Sequence, residues 1–402
     1  MAKEIACIDI GTTKVSLLIA RPSREGLHIA EIITVPSRGM RKGEIIDMTL
    51  VADSIKRAFK EVKFRGGLSK TGLSVVAGLS GPQVTITESY GAAGIGGRKI
   101  TEKDIQNAID SAGSLYIPLD REVLHIIPVE YSVDGQQGIR NPLGMRGYRL
   151  EVKVQIITTG LLYLDNLREV FHAAGLRIDE FVYRPIATAR SVLKEEEMEE
   201  GVVLIDAGGG TSEVAVFKER KLLYAVSVPV GGNHITNDIA IGLKVPVSEA
   251  ERIKIKYGSA LVRRSDEQIE IDHSRSKRYC FLRNLDEIVF ARCEEMASLI
   301  KKEISKVVSQ GISLSGAVLT GGTSLLRGLD NLFESYLEMP VRTGLPSGQR
   351  LSSPALSVVA GLFEILSDGD SRVSRSPFSK ETFIEKLKAL ARVFHKKEVS
   401  YV

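Results

Sequence analysis

The sequence has no tryptophan, and its 402 residues include only three cysteines and six histidines. Cys7, Cys280 and Cys293 form no CxxC pair and are odd in number. That argues against a disulfide framework and predicts reduced thiols. The histidines form no HxxxH or HExxH pair, which argues against a His-based metal site. No apolar run reaches the roughly 18 residues needed to cross a bilayer. Neither sign of charge dominates: 54 Lys and Arg against 50 Asp and Glu leave +4. So weak a field does not point to nucleic acid as a partner. The start of the chain enters a strand-like run with no signal-peptide core, so a cytoplasmic protein is expected. No GxxxxGK[ST] loop is present, which excludes a Walker-type phosphate site.

What is there is ordinary globular composition, 43% apolar and 26% charged, long enough for about two to four domains. "IACIDI", "VSLLIA" and "LHIAEIITV" read as three strands, and "MTLVADSIKRAFKEV" as a helix with Val51, Ile55, Ala58, Phe59 and Val62 on one face. The same order returns in "GVVLIDAGGGTSEVAVF", "KLLYAVSVPV" and a helix opened by "GGNHITNDIAIGL". Asp9 and Asp206 hold the same place in the two copies, so a duplicated β-β-β-α unit is expected. Between the copies, Gln83 to about Gly160 has its own strands and one helix, Glu102 to Ala112, with Thr101 as its N-cap.

The turn "IDIGTTK" joins strand to strand, so it is not a dinucleotide-binding turn. Taken alone it is either a plain hairpin or half of a phosphate cradle. Glycine accepts the backbone angles of an anion-binding nest. Gly11 would help aim the backbone N–H groups, Thr12 and Thr13 would add hydroxyl donors, and Lys14 a charge. The second copy, "DAGGGTSE", places Asp206 before Gly208, Gly209, Gly210 and Thr211, and a plain turn does not need three glycines. Two such turns would clamp a triphosphate, with Asp9 and Asp206 holding a hydrated magnesium ion. "GAVLTGGTSLLRGL" predicts a strand, Gly321 and Gly322, and then a helix begun by Thr323 or Ser324, where a flat nucleoside would lie. Glu251 and Lys254 share a helix face and are either a surface ion pair or part of that site.

These motifs, in this order, resemble the actin, Hsp70 and sugar-kinase superfamily. "VLHIIPVEYSVDGQQGIRNPLGMRGYRLEVKVQIIT", "KGEIIDM", "GLSGPQV", "AERIKIKYG" and "TGGTSLLRGL" resemble the FtsA family of bacterial cell-division actin homologues. That resemblance implies an α/β, actin-like ATPase fold (a duplicated ribonuclease-H-like unit), with two lobes around one nucleotide cleft. Subdomain 1A would be 1–82 and 161–198, and the inserted 1C would be 83–160. Subdomain 2A would be 199–232 and 312–367, and 2B would be 233–311. ATP and magnesium would occupy the cleft, with Gly232 and Asn233 joining the residues above. Arg184, in "FVYRPIATARSVL", stands where relatives carry a water-orienting Glu or Gln. A guanidinium cannot act as a base, so at most a weak ATPase is implied. No catalytic carboxylate beyond Asp9 and Asp206 stands out.

After Asp368 the chain turns polar and breaker-rich, and 368–380 is expected to be a linker. Phe383, Ile384, Leu387, Leu390 and Phe394 then form one helical face over 381–398, with Lys386, Lys388 and Arg392 on the polar side. A helix docked on the body remains open. The basic face and the linker favour a membrane-surface helix, the family's membrane-targeting element. The resemblance further implies filaments of the chain itself and an anionic membrane surface. It implies the FtsZ C-terminal peptide at 2B and later division proteins at 1C. The location would be the cytoplasmic face of the membrane at the division site. A pilus-type actin-fold scaffold and a phosphotransferase on the same fold are the competing readings. "HSRSKR" (273–278) is either a solvated loop or a docking point for an acidic peptide.

Overall fold

The computed structural model describes residues 4–23, 26–65, 73–113, 118–263, 266–273, 276–347 and 350–368. Asp368, the first residue of the expected linker, is instead the last residue of a helix; the rest of the linker and the 381–398 helix, with every membrane-facing residue named for it, lie outside the described residues. So do Ser274 and Arg275 of the basic cluster.

The first half opens with β1 (Ile5–Ile10), β2 (Lys14–Ser23) and β3 (Gly26–Pro36), a meander of antiparallel pairs. A short pair, β4 (Met40–Arg41) and β5 (Glu44–Ile45), leads into α1 (Met48–Arg65). β6 (Ser74–Leu79) then pairs parallel to β1. The inserted unit follows: β7 (Thr85–Gly94), α2 (Glu102–Gly113), β8 (Arg121–Val133), β9 (Gln136–Ile139) and β10 (Arg149–Gly160). Its strands form their own sheet in the order β7-β10-β8-β9. α3 (Leu161–Ala173) and β11 (Glu180–Tyr183) complete the first sheet, and α4 (Arg184–Val192) and α5 (Glu195–Glu200) cross to the second half.

That half repeats the plan with β12 (Val202–Ala207), β13 (Ser212–Lys218), β14 (Lys221–Val228) and α6 (Gly232–Leu243). Next come α7 (Val247–Tyr257), β15 (Gln268–His273), β16 (Ser276–Phe281), α8 (Leu282–Val308) and β17 (Gly316–Thr320). α9 (Leu329–Leu337), β18 (Val341–Thr343) and α10 (Ser357–Asp368) close the described chain. The two five-stranded sheets have matching orders, β11-β6-β1-β2-β3 and β18-β17-β12-β13-β14.

Strand alternation divides the interior into layers. Ala6 and Ile8 of β1 face α1 and α3 together with Val51, Ile55, Ala58 and Val62, whereas Ile5 and Cys7 face the opposite way. Val203 and Ile205 of β12 face α6 and α8, whereas Val202 and Leu204 point back toward the first sheet. α4 and α10 fill the layer between the two sheets. A central strand buried on both sides needs a continuous apolar run, and β1 and β12 are buried along their whole length.

Three expectations are corrected here. Residues 312–367 do not all belong with the second half, because Val358, Leu362 and Ile365 of α10 pack with Ile5, Cys7 and Val76 of the first sheet. The helix expected from Thr323 or Ser324 is a single 3-10 turn, Gly322–Leu325, and α9 begins only after Gly328, whose φ of +71 interrupts the path. At Thr101 the hydroxyl does not accept from the helix. It donates to Asp104 Oδ2 at 2.6 Å, and that carboxylate also accepts the Thr101 N–H at 2.8 Å.

Candidate functional site

The β1–β2 and β12–β13 hairpins close in the same way. The Gly11 N–H donates to the Lys14 carbonyl, and the Gly208 N–H to the Thr211 carbonyl, both at 2.9 Å. In the ladders Asp9 stands opposite Ser16, and Asp206 opposite Glu213. The two turns touch. A Cβ on Gly209 would come within 2.3 Å of Thr13 Cγ2, and one on Gly210 within 2.5 Å of Thr12 Oγ1. Gly11, Gly208, Gly209 and Gly210 are all absent from the positive-φ residues. The nest-type backbone angles expected of these glycines are therefore not found. At Gly209 and Gly210 it is the missing side chain, not left-handed backbone, that lets the turns approach.

The third turn presses on the same point. Gly321 has φ +87, and a Cβ there would lie 2.4 Å from Asp206 Oδ1. The Thr323 hydroxyl donates to the Gly208 carbonyl at 2.7 Å. Ser324 donates to the Gly321 carbonyl at 2.7 Å and is buried. It braces the turn and does not line the cavity. The N–H groups of Gly232 and Asn233 donate to the carbonyls of Gly208 and Gly209 at 3.0 and 2.8 Å. The start of α6 thus holds the second turn in place. Lys254 Nζ lies 2.7 Å from Glu251 and 3.1 Å from the Gly232 carbonyl. This pair is an ion pair and cavity wall at once.

Together these groups line one cavity of about 560 Å³, within the ~300–1,000 Å³ range of small-molecule sites. Asp9, Gly11, Thr12, Thr13, Lys14, Asp206, Gly208, Gly209, Gly210 and Thr211 form its floor and two sides. Gly232, Asn233, Glu251, Lys254, Gly321, Gly322 and Thr323 line it as well. The residues come from both sheets, which places the cavity between the lobes.

Charged groups from both halves meet between the two hairpins. Arg184, the first residue of α4, lies with Nε 3.2 Å from Asp9 Oδ1 and a terminal nitrogen 3.6 Å from Asp206 Oδ2. Burial pulls its pKa down, but Asp9, Asp206 and Glu213 raise it further, so it is charged. Lys14 Nζ donates to the Ala355 carbonyl, and burial lowers its pKa against the pull of Asp9 and Asp206. Burial raises the pKa of Asp206 and of Glu213 from their ordinary values, with Arg184 opposing in both cases. Glu213 accepts from the Ser80 hydroxyl at 3.0 Å and the Ser227 hydroxyl at 2.8 Å.

Glu213, Ser80 and the placement of Arg184 were missed in the sequence. A signal existed for Glu213. It stands across the hairpin from Asp206 as Ser16 stands across from Asp9, and a charge on a buried strand needs a reason. The donor chemistry of Asp9 and Asp206 would suit magnesium. In this structure, however, the oxygens that would bind it face a guanidinium. Among the described residues no group of three or more His, Cys, Asp or Glu is arranged to hold a metal. A guanidinium, not a metal, therefore stands against the inner oxygens of these two carboxylates.

Comparison with known proteins agrees with this architecture. The family profile described as "Cell division protein FtsA" matches residues 203–361, and "SHS2 domain inserted in FTSA" matches 81–158. The cell division protein FtsA of Pseudomonas aeruginosa is 35% identical, over 96% of this chain and 97% of its own length. Among solved structures, a PilM–PilN type IV pilus biogenesis complex superposes with TM-score 0.61 at 16% identity, covering 88% of this chain and 96% of that one. MreB5 of Spiroplasma citri bound to AMPPNP superposes with TM-score 0.56 at 14% identity, covering 91% and 96%. Such distant structural likeness establishes the actin-like ATPase fold, and the sequence identity establishes the family: the chain belongs to the FtsA family of cell division proteins.

Proposed function

We propose that the chain binds ATP between its lobes and assembles with copies of itself. The assembly holds the FtsZ ring to the cytoplasmic face of the membrane at the division site through residues 381–398. The observation that carries the nucleotide reading is the convergence of three glycine turns from both halves on one charged cavity. The MreB5 structure bound to AMPPNP supports it, as a protein of the same fold with nucleotide. Family membership supports the division role, the FtsZ C-terminal peptide at 2B (233–311) and later division proteins at 1C (83–160).

Burial of Phe383, Ile384, Leu387, Leu390 and Phe394 in a bilayer surface would contribute roughly 10 kcal/mol gross, at ~1.5–3 kcal/mol each. Ordering the helix offsets much of that, so a single tail binds reversibly and an array of tails binds far more tightly. Membrane attachment and assembly are coupled in this reading. Arg184 in place of a water-orienting carboxylate makes hydrolysis slow.

The test is co-sedimentation with anionic vesicles of the full chain and of a chain ending at Asp368, with and without ATP. The full chain should pellet, more so with ATP, while the shortened chain stays in solution and phosphate release remains slow. Equal pelleting of the two would overturn the membrane role. Fast release that Asp206→Ala abolishes would favour the phosphotransferase reading, for which Glu213 is the cleft carboxylate the sequence did not reveal.

A further inference from the structure

We propose, taking the cleft as a nucleotide site, that Arg184 is its resident counter-cation. It occupies the position between Asp9 and Asp206 that a magnesium ion would need, so the protein takes up the nucleotide as the free polyphosphate anion rather than as its magnesium complex.

Four observations carry this. First, Arg184 is set by regular structure. β11 pairs with β6 through Val182 opposite Gly78 and Tyr183 opposite Leu79, and Arg184 then begins α4, whose next residue, Pro185, sits at a favoured first-turn position. Second, the fold makes room for this side chain. Gly78 has no Cβ, and one placed there would lie 2.7 Å from Val358 Cγ1, 3.1 Å from Arg184 Cγ and 3.6 Å from Asp9 Oδ1. Third, one guanidinium reaches both carboxylates, at 3.2 and 3.6 Å. The two oxygens it faces, Asp9 Oδ1 and Asp206 Oδ2, are buried and accept no hydrogen bond, and Arg184 Nε makes none either, so the guanidinium meets them through charge alone. Fourth, the cations have carboxyls to meet. Arg184 and Lys14 stand among Asp9, Asp206 and Glu213, and Asp9 and Asp206 act on both of them.

Magnesium bound to the same oxygens would have to displace a guanidinium or lie beside it, like charge against like. Arginine never deprotonates, so it cannot yield by losing its charge. Its planar fork suits a phosphate as well as a carboxylate. It can therefore turn one edge to the aspartates and the other to an incoming phosphate. Magnesium and nucleotide become thermodynamically uncoupled when a fixed cation already fills the metal's role.

The test uses the full chain and fluorescence anisotropy of N-methylanthraniloyl-ATP, in magnesium or in excess EDTA at matched ionic strength. In the wild type the two affinities should agree within about threefold, and in Arg184→Gln EDTA should weaken binding about tenfold or more, as a restored metal–nucleotide coupling requires. A second readout needs no nucleotide. Magnesium alone should raise the melting temperature of Arg184→Gln and leave that of the wild type unchanged. A wild type that loses about tenfold in EDTA overturns the proposal, and needs no variant to show it. If the probe binds neither protein, the nucleotide reading fails. The magnesium melting shift then still decides whether Arg184 holds the metal's place.

Discussion

Glu213 shows how a single side chain records the surroundings that a fold builds for it. It is buried on a strand in the cleft wall and receives hydroxyls from Ser80 and Ser227, contributed by opposite halves. Burial raises its pKa above the ordinary value of 4.5. A carboxyl whose folded-state pKa is raised binds a proton more tightly in the folded than in the unfolded chain. Its stabilising effect is therefore present below the unfolded pKa and is lost as pH rises through the folded one. Glu213→Gln keeps an acceptor and cannot ionise. The melting temperature of Glu213→Gln relative to wild type should rise between pH 5 and pH 8. Parallel curves for the two proteins would show that the carboxyl titrates normally. The resemblance implied only that Arg184 stands where relatives carry a Glu or Gln, and nothing near it in sequence placed its guanidinium between two aspartates. Its ion pairs depend on Asp9 and Asp206, which lie on different sheets and are far away in sequence.

At the scale of elements, the contact of α4 with α10 decides how the layers close. Gly361 of α10 packs so tightly that a Cβ would lie 1.6 Å from the Ala187 carbonyl oxygen of α4. Neither backbone can give way without separating the helices that fill the layer between the sheets. Gly361→Ala should cost at least the ~1–3 kcal/mol typical of overpacking, read as a lowered denaturation midpoint. Gly94→Ala on β7 is the matched control. Nothing lies within 4 Å of its Cβ position and its φ is not positive, so its effect should stay within about 0.5 kcal/mol. Equal effects would mean that the helix contact does not limit stability. The helices themselves were readable from periodicity: Val51, Ile55, Ala58 and Val62 of α1 are all buried where a 3.6-residue repeat puts them. The place of α10 was not readable, because an apolar helix at the end of the described chain fits either lobe equally well by pattern.

At the scale of the whole molecule, the shared middle layer ties the lobes into one cooperative body. It draws Ile5, Cys7 and Val76 from one sheet and Val202, Leu204 and Phe217 from the other. The inserted unit is joined to it by strands that use both faces. On β8 and β10, Ile126 and Ile156 lie in the unit's own core, while their neighbours Ile127 and Ile157 lie in the middle layer. Calorimetry of the full chain should therefore show the two lobes melting in one transition. Two well-separated lobe transitions would mean that the layer is too weak to couple them.

By itself the sequence determined the duplicated strand-and-turn plan, the inserted unit and the glycine turns that line the cavity. Those features are local: alternating burial within a strand, glycines at a turn and an Asp at a strand end are each written in a few adjacent residues. Only the tertiary structure decided that the turn glycines serve close approach, that α10 belongs to the first sheet, and that Arg184 stands between Asp9 and Asp206. Each of these depends on the distance between groups far apart in the chain. Residue type constrains such distances weakly, and packing sets them.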